Sequence, residues 1–139
     1  MRRLTAFVLP ALGLVLSACA GPRVQELNLT AMDMSFQPNA LEVTAGVPVR
    51  LTMTNEGALE HDFSILEMHM ETMGATAVPM EGQDMTPMGE EAQLHMAVAM
   101  GTSNTVEFTP TKPGTYEFLC TVPGHKEAGM VGTMVVKAP

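Results

Sequence analysis

Along most of the chain, apolar and polar residues alternate in short runs, the period-two signature of strands with one buried face. Leu27, Leu29 and Ala31 alternate with Glu26, Asn28 and Thr30. Leu41, Val43 and Ala45 alternate with Glu42 and Thr44 and stop at Gly46. Val49, Leu51 and Met53 alternate with Arg50, Thr52 and Thr54 and stop at Asn55-Glu56-Gly57. Further strands are predicted over His61–Leu66, around Val106 and Phe108, over Tyr116–Cys120 and over Met134–Lys137, with Lys112-Pro113-Gly114 as a turn. Tyr116, Phe118 and Cys120 fall on one strand face. No internal repeat is present. Short strands separated by turn residues predict an antiparallel sandwich or barrel.

One stretch breaks the alternation. Glu67 to Gly101 holds Met68, Met70, Met73, Met80, Met85, Met88, Met96 and Met100, eight of the chain's 14 methionines, together with His69 and His95. Gly74, Pro79, Gly82, Pro87 and Gly89 exclude a long helix. The stretch reads as an inserted Met-rich loop, residues 67–93, with one helical turn near Met68–Met73 and a strand near Leu94–Ala99.

The N-terminus has a different logic. Met1-Arg2-Arg3 is basic, and an apolar run of about 13 residues follows, from Leu4 to Leu16. That is short for a membrane span and suits the core of a signal peptide. The run ends in Leu16-Ser17-Ala18-Cys19, which resembles a bacterial lipobox. The expectation is a lipoprotein signal peptide at 1–18, lipidation of Cys19, a short tether at 19–23 and one domain at 24–139. The mature protein would be exported. It would sit on the periplasmic or cell-surface side of a bacterial membrane, held by lipid rather than by a helix.

Composition narrows the function. The chain has 139 residues and a net charge of -8; without Arg2 and Arg3, 5 basic side chains face 15 acidic ones. Such a surface repels phosphate backbones, which excludes nucleic acid as the expected partner. There are two cysteines, Cys19 and Cys120. With Cys19 lipidated, Cys120 is a lone thiol in an oxidising compartment, and a lone thiol there calls for a reason such as metal ligation or nucleophilic catalysis.

The surroundings of Cys120 supply that reason. Cys120-Thr121-Val122-Pro123-Gly124-His125-Lys126-Glu127-Ala128-Gly129-Met130 has the spacing Cys-x4-His-x4-Met. A thiolate, an imidazole and a thioether lie on one loop between two strands. With a second histidine from a distant strand, the set is His2Cys with a weak axial Met, the ligand set of a blue-copper electron-transfer site. Zinc gains nothing from the thioether. A cysteine nucleophile lacks a strained turn or helix N-terminus to activate it. A dinuclear copper centre needs a second Cys in the loop, and a multicopper enzyme needs more than the four histidines present.

Tyr116 to Val136 closely resembles the cupredoxins, the blue or type 1 copper proteins, particularly the bacterial ones of rusticyanin and auracyanin type. Phe108-Thr109-Pro110 and Lys112-Pro113-Gly114-Thr115-Tyr116 resemble the strand that leads into their ligand loop. The resemblance covers about residues 24–66 and 94–139; in the N-terminal half it is one of pattern. It implies an all-β Greek-key sandwich or barrel of about 7–8 strands. It also implies that the remaining histidine lies before the loop, where His61, His69 and His95 are the candidates. His61, in Glu60-His61-Asp62-Phe63 after a strand and turn, stands where the family places it. Asp62 departs from the Asn common at that position, which helps tie the two ligand segments together. An aspartate accepts hydrogen bonds there without donating them.

By resemblance, His61, Cys120 and His125 form the trigonal plane around one copper, with Met130 axial, and the protein is an electron carrier rather than an enzyme. The edge of His125 would reach the surface among Val122, Pro123, Gly124, Ala128 and Val131. Through it a monomeric protein would exchange electrons with a redox partner, such as a c-type cytochrome or a membrane electron-transport complex, steered by acidic charge. The Met-rich loop raises an alternative. Thioethers bind Cu(I) without deprotonation, so Met68, His69, Met70, Met73, His95 and Met96 are candidates for auxiliary Cu(I) in a periplasmic copper chaperone, storage or resistance protein.

Overall fold

The structure, a computed structural model, describes residues 23–71 and 92–139. The expected signal peptide, Cys19, most of the expected tether and most of the Met-rich stretch, Met73 included, lie outside the described residues. No helix forms among the described residues, and ten strands do. They are β1 (Gln25–Met32), β2 (Ser35–Gln37), β3 (Ala40–Thr44), β4 (Val49–Asn55), β5 (His61–Ile65), β6 (Met70–Glu71), β7 (Leu94–Val98), β8 (Ser103–Pro110), β9 (Gly114–Leu119) and β10 (Val131–Lys137).

The strands make two sheets, ordered β2-β1-β4-β8-β6 and β3-β10-β9-β5-β7. The alternation seen in sequence is the packing. On β4, Val49, Leu51 and Met53 are buried while Arg50 is exposed. Arg50 pairs across the sheet with Glu26 on β1 and Glu107 on β8, at 3.0 and 2.6 Å. Leu29, Leu51, Met53 and Phe108 from one sheet join Phe63, Ile65, Phe118, Met134 and Val136 from the other in one core. Phe118 packs edge-on against Phe36, centroids 5.3 Å apart, and tilted against Phe63 at 5.1 Å. The Tyr116 hydroxyl donates back to the Lys112 carbonyl at 2.9 Å and fixes the turn before β9.

The sequence expectations need three corrections. The sheets are mixed rather than purely antiparallel: β1 runs parallel to β4, and β3 parallel to β10. The chain leaves the first sheet through β3 and re-enters it at β4, so β4 meets β1 pointing the same way. Ten strands form among the described residues against an expected 7–8, because β2 and β6 have only three and two residues and leave little periodic signal. Finally, no helical turn occupies Met68–Glu71. Met70 and Glu71 extend along the sheet edge opposite Pro110 and Thr109 instead.

β5 differs from its neighbours in being buried along its whole length. Phe63 and Ile65 belong to the core. Asp62 and Ser64 therefore lie on the opposite face of the strand, and that face is covered as well.

Candidate metal centre

Three buried side chains from two segments converge at one end of the sandwich. His61 opens β5, Cys120 follows the last residue of β9, and His125 stands on the loop between β9 and β10. Their ligand atoms all lie within 4.8 Å of one another. His61 Nδ1 is 3.2 Å from His125 Nδ1, and Cys120 Sγ is 3.9 and 3.3 Å from those two nitrogens. Met130, fully buried, ends the same loop.

The loop is closed by its own backbone. Cys120 N–H donates to the Met130 carbonyl at 3.1 Å, and Met130 N–H donates to the His125 carbonyl at 2.9 Å. The residues just before His125 and Met130 are Gly124 and Gly129, with φ of 87° and 99°. A side chain at either would resist that left-handed turn. The segment from Cys120 to Met130 thus folds into a tight loop that turns both of its later ligands inward.

His61 is seated by different contacts. Asn55, at the end of β4, donates from Nδ2 to the Leu59 and Val98 carbonyls at 2.8 and 2.9 Å and accepts from Gly57 N–H at 3.0 Å. Asp33 Oδ1 accepts from Ala58 N–H at 2.8 Å. The β4–β5 connection is thereby pinned from two sides. Gly57 lies against the back of the imidazole, where a Cβ would come within 2.9 Å of both His61 Nε2 and Asp33 Oδ1. His61 Nε2 is buried without a hydrogen-bond partner among the described residues.

Asp62 resolves the question raised by its replacement of Asn. It accepts Thr121 N–H at 2.9 and 3.1 Å and the Thr121 hydroxyl at 2.8 Å. Its own N–H points at Cys120 Sγ, 3.4 Å away. An acceptor suffices here because Thr121 supplies both donors. The residues after two ligands, His61 and Cys120, are thus tied to each other.

The electrostatics suit a metal. Burial pushes the Cys120 thiol up to about 11. Burial, and then the neighbouring charge of His125, lowers the pKa of His61. Cys120 and His61 are each disfavoured as ions, and the two imidazole nitrogens face each other at 3.2 Å, where one shared proton can satisfy both. A cation at their common focus would accept all three electron pairs and stabilise the thiolate. A thiolate, two imidazoles and a thioether are the donor set of a type 1 copper site, and His61, Cys120, His125 and Met130 form such a site here.

Of the auxiliary candidates, Met68, His69 and Met70 line one cavity with Gln93, while Met73 lies outside the described residues. Met68 and Met96 are buried in the core. Met70 is half-buried against it, while His69 is exposed. His95 is exposed and faces away from Met96, as neighbours on a strand must. The expected surface around the loop histidine is partly formed. Pro123, Gly124 and Ala128 are exposed, Val122 and Val131 half-buried, and His125 itself is only 5% exposed. Thr121, Ser64, Gly57 and Asp33 touch the site or its supports and were missed by sequence reasoning; of the supporting residues, only Asp62 carries a signal there.

Residues 5–136 match a family described as the cupredoxin-like domain. The copper-resistant cuproprotein CopI of Pseudomonas aeruginosa is 30% identical over 145 residues, covering 86% of this chain and 80% of that protein. Auracyanin-A of Chloroflexus aurantiacus is 27% identical over 160 residues, covering 98% and 97%. The crystal structure of dithionite-reduced auracyanin from Roseiflexus castenholzii superposes with a TM-score of 0.61 at 24% identity, over 81% of this chain and 96% of that one.

Proposed function

The chain belongs to the cupredoxin-like family, and on that premise we propose that it is an exported, membrane-anchored carrier of single electrons. The observation that carries the reading is the buried focus of His61 Nδ1, Cys120 Sγ and His125 Nδ1 within 4.8 Å. Copper bound there supplies a one-electron Cu(I)/Cu(II) couple. The protein's part is to hold the donors still. The Cys120–Met130 and His125–Met130 backbone bonds and the Asp62–Thr121 clamp resist rearrangement between oxidation states, and little reorganisation favours fast transfer. Cys120 gives up its proton when it ligates. His125, nearest the surface of the three, is the exit for the electron. The acidic chain favours a basic partner, such as a c-type cytochrome. Cys19 is the proposed lipid anchor, on the extracytoplasmic side.

A second reading has its own support. A relative at 30% identity is named a copper-resistant cuproprotein. Eight methionines fall between residues 67 and 101 here. On that reading the protein protects against copper, and the Met-rich loop takes up Cu(I).

The deciding experiment is a copper titration of the full-length chain in detergent. An intense thiolate-to-Cu(II) band saturating at one copper per chain, with reversible one-electron voltammetry, supports the carrier. Copper binding without that band overturns Cys120 as a ligand. Several additional Cu(I) ions, lost when the methionines of 67–93 are replaced by leucine, favour copper handling.

A further inference from the structure

The outward face of β5 carries a hydrogen-bonded series that ends at the protein surface. Thr121 donates twice to the Asp62 carboxylate. Ser64 Oγ donates to Asp62 Oδ1 at 2.8 Å. Ser64 Oγ also lies 2.9 Å from Nδ1 of His95, its cross-strand neighbour on β7. Ser64 is fully buried, Asp62 nearly so, and His95 exposed.

The order of donors follows from proton counting. A serine hydroxyl has one proton, and here it goes to Asp62. Ser64 Oγ must then accept from His95, so the His95 Nδ1 carries the hydrogen. The series runs one way, from His95 through Ser64 to Asp62. Without the His95 donor, Ser64 Oγ loses the contact that fixes its orientation and polarises its O–H, and its hydrogen bond to Asp62 weakens.

We propose that Ser64 and His95 are positioning residues for the metal centre, acting through Asp62. Asp62 is held between Ser64 on its own strand and Thr121 beside Cys120. Its backbone N–H meets the Cys120 sulfur. A carboxylate fixed on both sides sets the Cys120–Thr121 backbone and a constant negative charge next to the thiolate. The donors along the series delocalise part of that charge toward the surface. The proposal rests on the copper reading of the site. It adds to that reading two residues, 31 positions apart in sequence, of which neither is a ligand.

The test compares His95→Leu, His95→Asn and Ser64→Ala in the full-length chain. In the apoprotein the readout is amide hydrogen exchange at Thr121; in the copper-loaded protein it is the reduction potential and the thiolate-to-copper band. His95→Leu and Ser64→Ala are expected to speed Thr121 exchange about fivefold to tenfold, the loss of one hydrogen bond's worth of support. Both are expected to lower the potential, because a less compensated carboxylate favours the more positive ion. His95→Asn, whose side-chain N–H takes the place of Nδ1–H, restores both. Unchanged exchange and potential in His95→Leu overturn the proposal, as does an Asn variant indistinguishable from the Leu one. A wild-type protein without the thiolate-to-copper band sinks the copper reading instead; the apoprotein exchange rates still decide whether His95 and Ser64 support Thr121.

Discussion

Thr121 gives both its backbone N–H and its hydroxyl to the Asp62 carboxylate, at 2.9 and 2.8 Å. Because Asp62 follows one ligand and Thr121 another, this single contact sets the spacing between His61 and Cys120. It also places a carboxylate beside Cys120, whose sulfur meets the Asp62 N–H at 3.4 Å.

That charge leads to the first prediction. Asp62→Asn keeps an acceptor for Thr121 and removes a negative charge beside the thiolate. A unit charge about 4 Å away is worth on the order of 4 kcal/mol at an effective dielectric of about 20, before hydrogen bonding compensates it. The variant should bind copper and keep its colour, with a reduction potential higher by tens of millivolts, on the order of half that energy. Voltammetry showing no change, or a lower value, contradicts this.

Gly57 backs the His61 ring with no room to spare. A Cβ there meets His61 Nε2 and Asp33 Oδ1 at 2.9 Å and Asp33 N at 3.2 Å. Gly57→Ala should push the imidazole toward the metal site or push the β1–β2 turn away. The expected costs are about 1–3 kcal/mol of stability and a visible change in the copper band. A spectrum and melting curve like wild type would show that the connection yields freely.

Gly132 presents a purely structural contrast. A Cβ on it would overlap the Phe118 ring and stand 2.8 Å from the Asn39 carbonyl. Phe118 is locked between Phe36 and Phe63, so relief requires moving β10 from β3. Gly132→Ala is expected to destabilise apoprotein and copper protein alike, by about 3 kcal/mol or more. Chemical denaturation measures this directly.

The apoprotein should have a stability maximum bounded on both sides. Cys120 titrates at about 11 when folded against 9.0 for the ordinary thiol. Between those values the unfolded chain has released the proton and the folded chain has not, so stability falls as pH rises from 9 toward 11. His61 is lowered from 6.5 when folded, chiefly by burial. Below 6.5 the unfolded chain takes up a proton that the folded chain resists, so stability also falls with acid. Copper binding has already removed the thiol proton, and the alkaline decline should shrink. Melting temperatures from pH 5 to 11 for the apoprotein, the copper protein and apo Cys120→Ser test this; a Cys120→Ser profile with the same alkaline slope counts against the thiol as its cause.

Much of this site was legible because its ligands are local. Cys120, His125 and Met130 occupy eleven consecutive residues, and their chemistry is unusual enough to be recognised without a fold. His61 needed only a strand after a turn. A threonine after a cysteine has no distinctive signal, so the role of Thr121 exists only where Asp62 faces it. In sequence His95 groups with the methionines around it. A strand turns adjacent side chains to opposite faces, however, so Met96 enters the core and His95 meets Ser64. The parallel pairing of β1 with β4 was likewise hidden, since period-two alternation is the same for either direction of the neighbour.

Local period was enough to establish which faces are buried and that the protein is all-β; donor chemistry singled out Cys120, His125 and Met130, and the family resemblance added His61. The pairing of the strands, the glycines that leave room for a ring and the polar groups that support the ligands emerged only from the folded chain. Many of those contacts join residues far apart in the chain, such as Asp33 with Ala58, 25 positions on, and His61 with His125, 64 positions on. A hydrogen bond of that kind is set by where two sheets meet, and no local pattern records it.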